Sequence, residues 1–134
     1  MTKTESFRFQ LDNSTGVPVY RQLIDRVLMA ISTGTLHGGE QLPTVRQVAV
    51  DLAINPNTVM RAYREMELRG VLTTQQGLGT FVTLKTVQED EAQRQVRLSR
   101  LAAECASKAG AQGFSVRELT DRLLEIPAGD GRRR

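Results

Sequence analysis

The chain has 134 residues, with 18 basic and 15 acidic side chains and a formal net charge of +3. That length holds one domain, or one domain and a small appendage. The mild positive excess permits a polyanionic partner without demonstrating one.

Composition narrows the class further. At 40% hydrophobic and 25% charged, the chain reads as a soluble globular protein, without the apolar run of roughly 20 residues that crosses a bilayer. The N-terminal residues lack the apolar core of a secretory signal. The single cysteine, Cys105, excludes an internal disulfide and fits a reducing compartment, so the expected location is the cytoplasm, with no membrane partner.

Residues 1–17 read as an irregular lead-in. The alternation Phe7, Phe9, Leu11 fits either a short edge strand packed on the body or a partly ordered arm. Residues 18–33 give the first helix. Tyr20, Leu23, Ile24, Val27, Leu28 and Ile31 recur at the spacing of an amphipathic stripe. Pro18 suits the helix start and Gly34 the position past its end.

Residues 35–43 read as a loop, with Gly38-Gly39 as a turn and Pro43 as a stop. Thr44 followed by Gln47 fits a capping box opening a second helix over about 44–52. Ile54 and Asn55 make a tight turn. Asn55-Pro56 then starts a third helix, with Asn as N-cap and Pro in the first helical position. Val59, Ala62, Tyr63 and Met66 form its inward face, and Gly70 ends it. Two helices joined by so few residues cross steeply, which is helix-turn-helix geometry.

Two β-prone runs follow, 71–74 and 80–83, joined by Gly-containing residues 75–79. They predict a hairpin. Three helices and a hairpin make a winged helix. Residues 85–95 are highly polar and mark a boundary. A fourth helix over about 96–109 carries Leu98, Leu101, Ala102, Cys105 and Ala109, broken by Gly110 and Gly113. Ser115 and Glu118 form another capping box, opening a fifth helix with Leu119, Leu123, Leu124 and Ile126, ended by Pro127. The tail 128–134 is expected to be disordered. The fold class is therefore α+β, mostly α: a winged helix-turn-helix domain over 1–84 and a short helical dimerisation arm over 85–127.

A major groove admits one α-helix, and the second helix of a helix-turn-helix enters it with its N-terminal residues toward the base edges. Here that helix is about 56–69. Its outward side carries Asn57, Arg61 and Arg64, side chains that bond adenine and guanine edges. Thr58 and the helix N-terminus suit a phosphate. Thr44 and Asn55 cap the two helices beside the groove, and Arg46 reaches from the first turn of the second helix. At the wing tip, Gln76 is the polar contact, and Gly77 and Gly79 allow close backbone approach. Bland readings stay open. The Asn57, Arg61 and Arg64 face fits solvent as well, Arg46 fits a pair with Asp51, and the glycines fit the hairpin turn itself.

These residues resemble the GntR family. Residues 39–49 (GEQLPTVRQVA) are similar to the signature that ends its first loop and opens helix two. Residues 55–63 (NPNTVMRAY) resemble its recognition helix, and residues 68–72 and 77–82 its helix-to-wing junction and wing. The likeness covers about residues 16–84, and the wording at 55–59 and the short tail look most like the YtrA subfamily. That resemblance implies a dimeric repressor, often of membrane-transporter genes, with Arg46, Asn57, Thr58, Arg61 and Gln76-Gly77 at DNA-contacting positions. One departure is that Met60 stands where many members carry arginine, with Arg61 the next residue.

The two C-terminal helices have too little apolar area for a core of their own. Against a second copy they would bury Leu98, Leu101, Leu119, Leu123 and Ile126, and a two-fold dimer would offer two recognition helices to a palindromic site. The alternative is that they fold back on their own winged domain. His37 and Cys105 are far apart in sequence and without clustered acids, so neither a metal, a cofactor nor a catalytic pair is expected. Cys105 lies on the apolar stripe and reads as a small core residue. A protein-interaction module on a winged-helix scaffold is the second reading, and an effector of unknown chemistry between arm and wing the third.

Overall fold

The computed structural model describes residues 7–84 and 90–127. They fall into two compact units, 7–84 and 90–127. The tail expected to be disordered, 128–134, and the start of the polar boundary, 85–89, lie outside the described residues.

The first unit runs α1 (Val19–Ser32), α2 (Val45–Leu52), α3 (Pro56–Leu68), β1 (Leu72–Gln75) and β2 (Gly79–Val82). Pro18 occupies the N-cap of α1. At the other end Gly34 has φ +84. Its N–H donates to Ile31 O at 3.2 Å and that of Thr35 to Ala30 O at 2.8 Å, the pair of bonds that closes a helix on a left-handed residue. The stripe buries Leu23, Ile24 and Val27, with Ala30 beside them. Tyr20, Leu28 and Ile31 are half-buried at its edge.

The lead-in packs on this body, but not as the strand that its alternation suggests. Phe7 is buried and meets Phe9 edge-to-face at 4.9 Å. Side chains of α1 take up the backbone groups that a strand would pair. Arg26 Nε donates to Arg8 O at 2.6 Å. Gln22 accepts from Asp12 N at 2.8 Å and donates to Asp12 O at 3.0 Å.

Thr44 caps α2 by accepting from Gln47 N at 3.0 Å. The reciprocal half of the expected capping box does not form, because the Gln47 side chain turns forward and donates to Asp51 at 2.9 Å. The turn into α3 depends on Ala53, which adopts φ +56, ψ +48. Asn55 Oδ1 accepts from Asn57 N at 2.8 Å and caps α3. Val59, Ala62, Tyr63 and Met66 are all buried, as their spacing predicts. Tyr63 Oη donates to Pro43 O at 2.6 Å, tying α3 to the chain entering α2. Burial pushes the Tyr63 phenol above its usual range, so it stays a neutral donor.

The hairpin forms one residue nearer its tip than the β-prone runs suggest, with Leu72 opposite Val82 and Gln75 opposite Gly79. Thr83 N still donates to Val71 O at 2.9 Å. The loop expected at 35–43 is not wholly irregular. Gly39 N and Leu42 N donate to Val82 O and Thr80 O, both at 2.8 Å, and Glu40 O accepts from Val82 N. The segment 39–42 therefore lies along β2 as a short edge, pinned by the buried Leu42. Its polar composition hides that role, which comes from backbone pairing rather than from side-chain alternation.

The second unit is α4 (Glu91–Ala111) and α5 (Val116–Leu124). Asp90 caps α4 through Gln93 N at 2.8 Å, so the helix starts earlier than its apolar stripe. Gly110 lies inside the helix, and Gly113, at φ +89, ends it. Ser115 and Glu118 make both halves of a capping box. Only Ala109 is buried in this unit. Cys105 is exposed rather than part of a core, because it lies along an open cleft between α4 and α5. Among the described residues no helix is long and apolar enough to cross a membrane.

Ala53 is exposed and sits where an L side chain costs roughly 1–2 kcal/mol. Ala53→Gly should relieve that strain, offset in part by the freer unfolded chain. The expected net gain is about 0.5–1 kcal/mol, a rise of a few degrees in Tm by thermal melting. A lower Tm would show that the turn is not strained.

Candidate nucleic-acid interface

The site is built on α3 and the wing. Four buried residues fix the rotation of α3 about its axis, so Asn57, Met60, Arg61, Arg64, Glu65 and Leu68 line one shallow open groove on its outer side. The structure thus brings Asn57, Arg61 and Arg64 together on one face. Glu65 is bound back to Arg69 Nε at 3.3 Å, which leaves the cations of the groove less neutralised. The N-terminus of α3 carries partial positive charge from its unpaired N–H groups, and Thr58 sits half-buried in that first turn.

Thr44 and Asn55 are exposed, but their side-chain oxygens are occupied as caps. Each keeps a donor free in chemical terms, the Thr44 hydroxyl proton and the Asn55 amide group. Arg46 is exposed on the first turn of α2, and Asp51 takes its hydrogen bond from Gln47 rather than from Arg46.

The wing tip is a tight turn in which Leu78 N donates to Gln75 O at 2.9 Å. Gly77 holds φ +82 at its third position, where the turn demands glycine, and open space surrounds it. Gln76 is exposed beside it. Gly79 is different. It has φ +131, and a Cβ there would overlap Gln41 Nε2, the atom that donates to Leu78 O at 2.9 Å. The hairpin itself requires this glycine. Thr74 Oγ1 also bonds Glu67 Oε2, which fastens the wing to the end of α3.

Arg61 is exposed, yet its guanidinium is not free in solvent. Its central carbon stands 3.8 Å from the centroid of the Tyr20 ring. Sequence spacing assigned Tyr20 to the core stripe and missed this contact, which joins residues on two different helices. Met60 was also missed as a member of the face. It is 44% exposed, and the signal for it was its place one turn after Asn57.

Of the arm residues, Leu98, Leu101 and Leu123 are 52%, 56% and 54% exposed. Leu119 is half-buried and lines a cleft between α4 and α5 with Cys105, Ala109 and Phe114. Within one chain these leucines do not form a single buried set. Among the described residues no cluster of His, Cys, Asp and Glu is placed to hold a metal ion.

Comparison with known proteins agrees with this architecture. The family model for bacterial regulatory proteins of the gntR family matches residues 19–82. The chain is 39% identical over 74 residues to the HTH-type transcriptional regulator YhcF of Bacillus subtilis, covering 55% of this chain and 61% of that one. It is 36% identical over 74 residues to the HTH-type transcriptional repressor YtrA of the same organism, covering 55% and 57%. The chain thus spans about three fifths of the length of these curated relatives. Among solved structures, a transcriptional regulator from Oenococcus oeni superimposes with a TM-score of 0.56 at 32% identity, covering 90% of this chain and 98% of that one. These relatives are transcription regulators rather than enzymes, and residues 19–82 of this chain, within its winged helix-turn-helix unit, form a GntR-family domain.

Proposed function

We propose that the protein is a dimeric repressor that binds a palindromic DNA operator, with residues 1–84 as the DNA-binding domain and 85–127 as the dimerisation arm. The observation that carries this reading is the outer groove of α3, where Asn57, Arg61 and Arg64 meet while the opposite face is buried. Asn57 and Arg64 face base edges in the major groove, Thr58 and the helix N-terminus bind a phosphate, and Arg46 with Thr44 and Asn55 holds the flanking backbone. Gln76 and Gly77 reach the neighbouring minor groove, and Gly79 keeps the wing in shape for it. The repressor named YtrA among the relatives supports the regulatory sense. Transporter genes are the expected targets by the same kinship, and the cytoplasm is the expected location.

Exposed apolar residues on the arm support the dimer. Leu98, Leu101 and Leu123 expose apolar surface on helices whose lone buried residue is Ala109. A second copy covering them, with Leu119 at the centre, would remove that surface from water at about 25 cal/mol per Å². Two-fold symmetry then presents two copies of α3 to two half-sites.

Two outcomes check this. On the preferred duplex Asn57→Ala should lose roughly 1–3 kcal/mol and relax specificity at one base pair. Arg46→Ala should weaken binding to all sequences alike and lower the salt slope by about 1. Titrations at several salt concentrations measure both. Equal affinity of Asn57→Ala and wild type on that duplex would remove α3 as the reading helix. In sedimentation, the wild type should have twice the chain mass and the pair Leu101→Asp with Leu123→Asp the mass of one chain. A wild type that sediments as one chain would refute the dimer.

A further inference from the structure

We propose that Tyr20, on α1, is a positioning residue for DNA reading: its ring holds the Arg61 guanidinium in place before DNA arrives. This rests on the proposal that α3 reads DNA. The two side chains come from different helices, and α1 packs directly against α3. The guanidinium carbon stands 3.8 Å from the ring centroid, the separation of two stacked planes. An edge-on guanidinium would stand farther off.

Stacking uses the flat face of the guanidinium and leaves its N–H donors, which lie in the plane, pointing outward. Arg61 can therefore remain on Tyr20 and still donate to a base edge or a phosphate. The benefit is entropic. A free arginine loses rotamer freedom when it is fixed on binding. An arginine already fixed by a ring has lost much of this on folding, so less is lost at the interface. The contact also limits where the donors can reach, which favours one partner position over others.

Tyr20 suits the role better than an aliphatic residue at the same stripe position. It is half-buried at the edge of the core, so its ring is anchored by packing while one face stays open to Arg61. Stabilisation by the ring quadrupole is worth about 0.5–2 kcal/mol, equivalent to about 2- to 30-fold in an equilibrium constant. The phenol oxygen is not part of the contact with Arg61, so phenylalanine should serve as well as tyrosine.

The test is a double-mutant cycle on the full chain with the duplex that wild type enriches from a random pool. Tyr20→Leu should bind that duplex about tenfold more weakly, with unchanged affinity for random duplex. Tyr20→Phe should bind within about twofold of wild type. In an Arg61→Ala background, Tyr20→Leu should have no further effect. NMR of the free proteins gives a reading that does not depend on DNA. The Arg61 Hδ protons should be shifted upfield by the ring in wild type and Tyr20→Phe, and not in Tyr20→Leu. The amide spectrum of Tyr20→Leu shows whether the unit remains folded, and if it does not, Tyr20→Phe and the upfield shift decide alone. An upfield shift with undiminished binding by folded Tyr20→Leu would overturn the inference and leave DNA reading intact. So would an equal loss in the Arg61→Ala background. If wild type enriches no sequence, the DNA reading fails and the inference falls with it.

Discussion

The rotation of α3 about its own axis is the constraint on which the site depends. Val59, Ala62 and Met66 are 0% exposed and Tyr63 is 5% exposed. Turning the helix by one residue, about 100°, would bring Met60 or Arg61 into that core and expose Ala62 or Tyr63. Burying an unpaired guanidinium costs far more than any groove contact returns. The outer face is therefore set by the inner one. Tyr63 adds a directional lock, since its bond to Pro43 O requires one orientation of the ring, and it links α3 to the start of α2.

The wing depends on the same helix. Thr74 is bonded to Glu67 near the end of α3, and Gln41 reaches from the edge segment 39–42 to hold the tip at Leu78 O. The wing is thus braced on both sides, and the glycine at 79 leaves room for the Gln41 brace. Arg61 shows the same economy on the other side of α3. Its exposed charge leans on a residue whose ring already belongs to the edge of the core.

Much of this fold was legible in the sequence because it depends on local rules. Pro18 and Gly34, Asn55-Pro56 and Gly70, and Ser115 with Glu118 mark helix ends through backbone chemistry that acts within a few residues. The buried faces of α1 and α3 follow from spacing alone. What was not legible depends on contacts far apart in sequence or on an unusual residue. No pattern marks Ala53 as left-handed, since alanine is a helix former. The pairing of 39–42 with β2 arises from backbone groups that carry no side-chain signal. Asp90 extends α4 by a turn beyond its apolar stripe because a cap and polar residues sustain a solvated helix. The Tyr20–Arg61 stack joins two helices that only the packed core brings together. In the second unit, apolar spacing was read correctly as a stripe, yet spacing cannot say whether one chain suffices to cover it.

The central claim is that a face built from Asn57, Arg61 and Arg64 reads DNA sequence, twice, through a symmetric pair of chains. Selection from random duplex DNA with the bound pool sequenced tests it most directly. The account predicts an enriched inverted repeat, with two half-sites at one fixed spacing. A pool with no enriched sequence, even though binding to bulk duplex falls with salt, would contradict it.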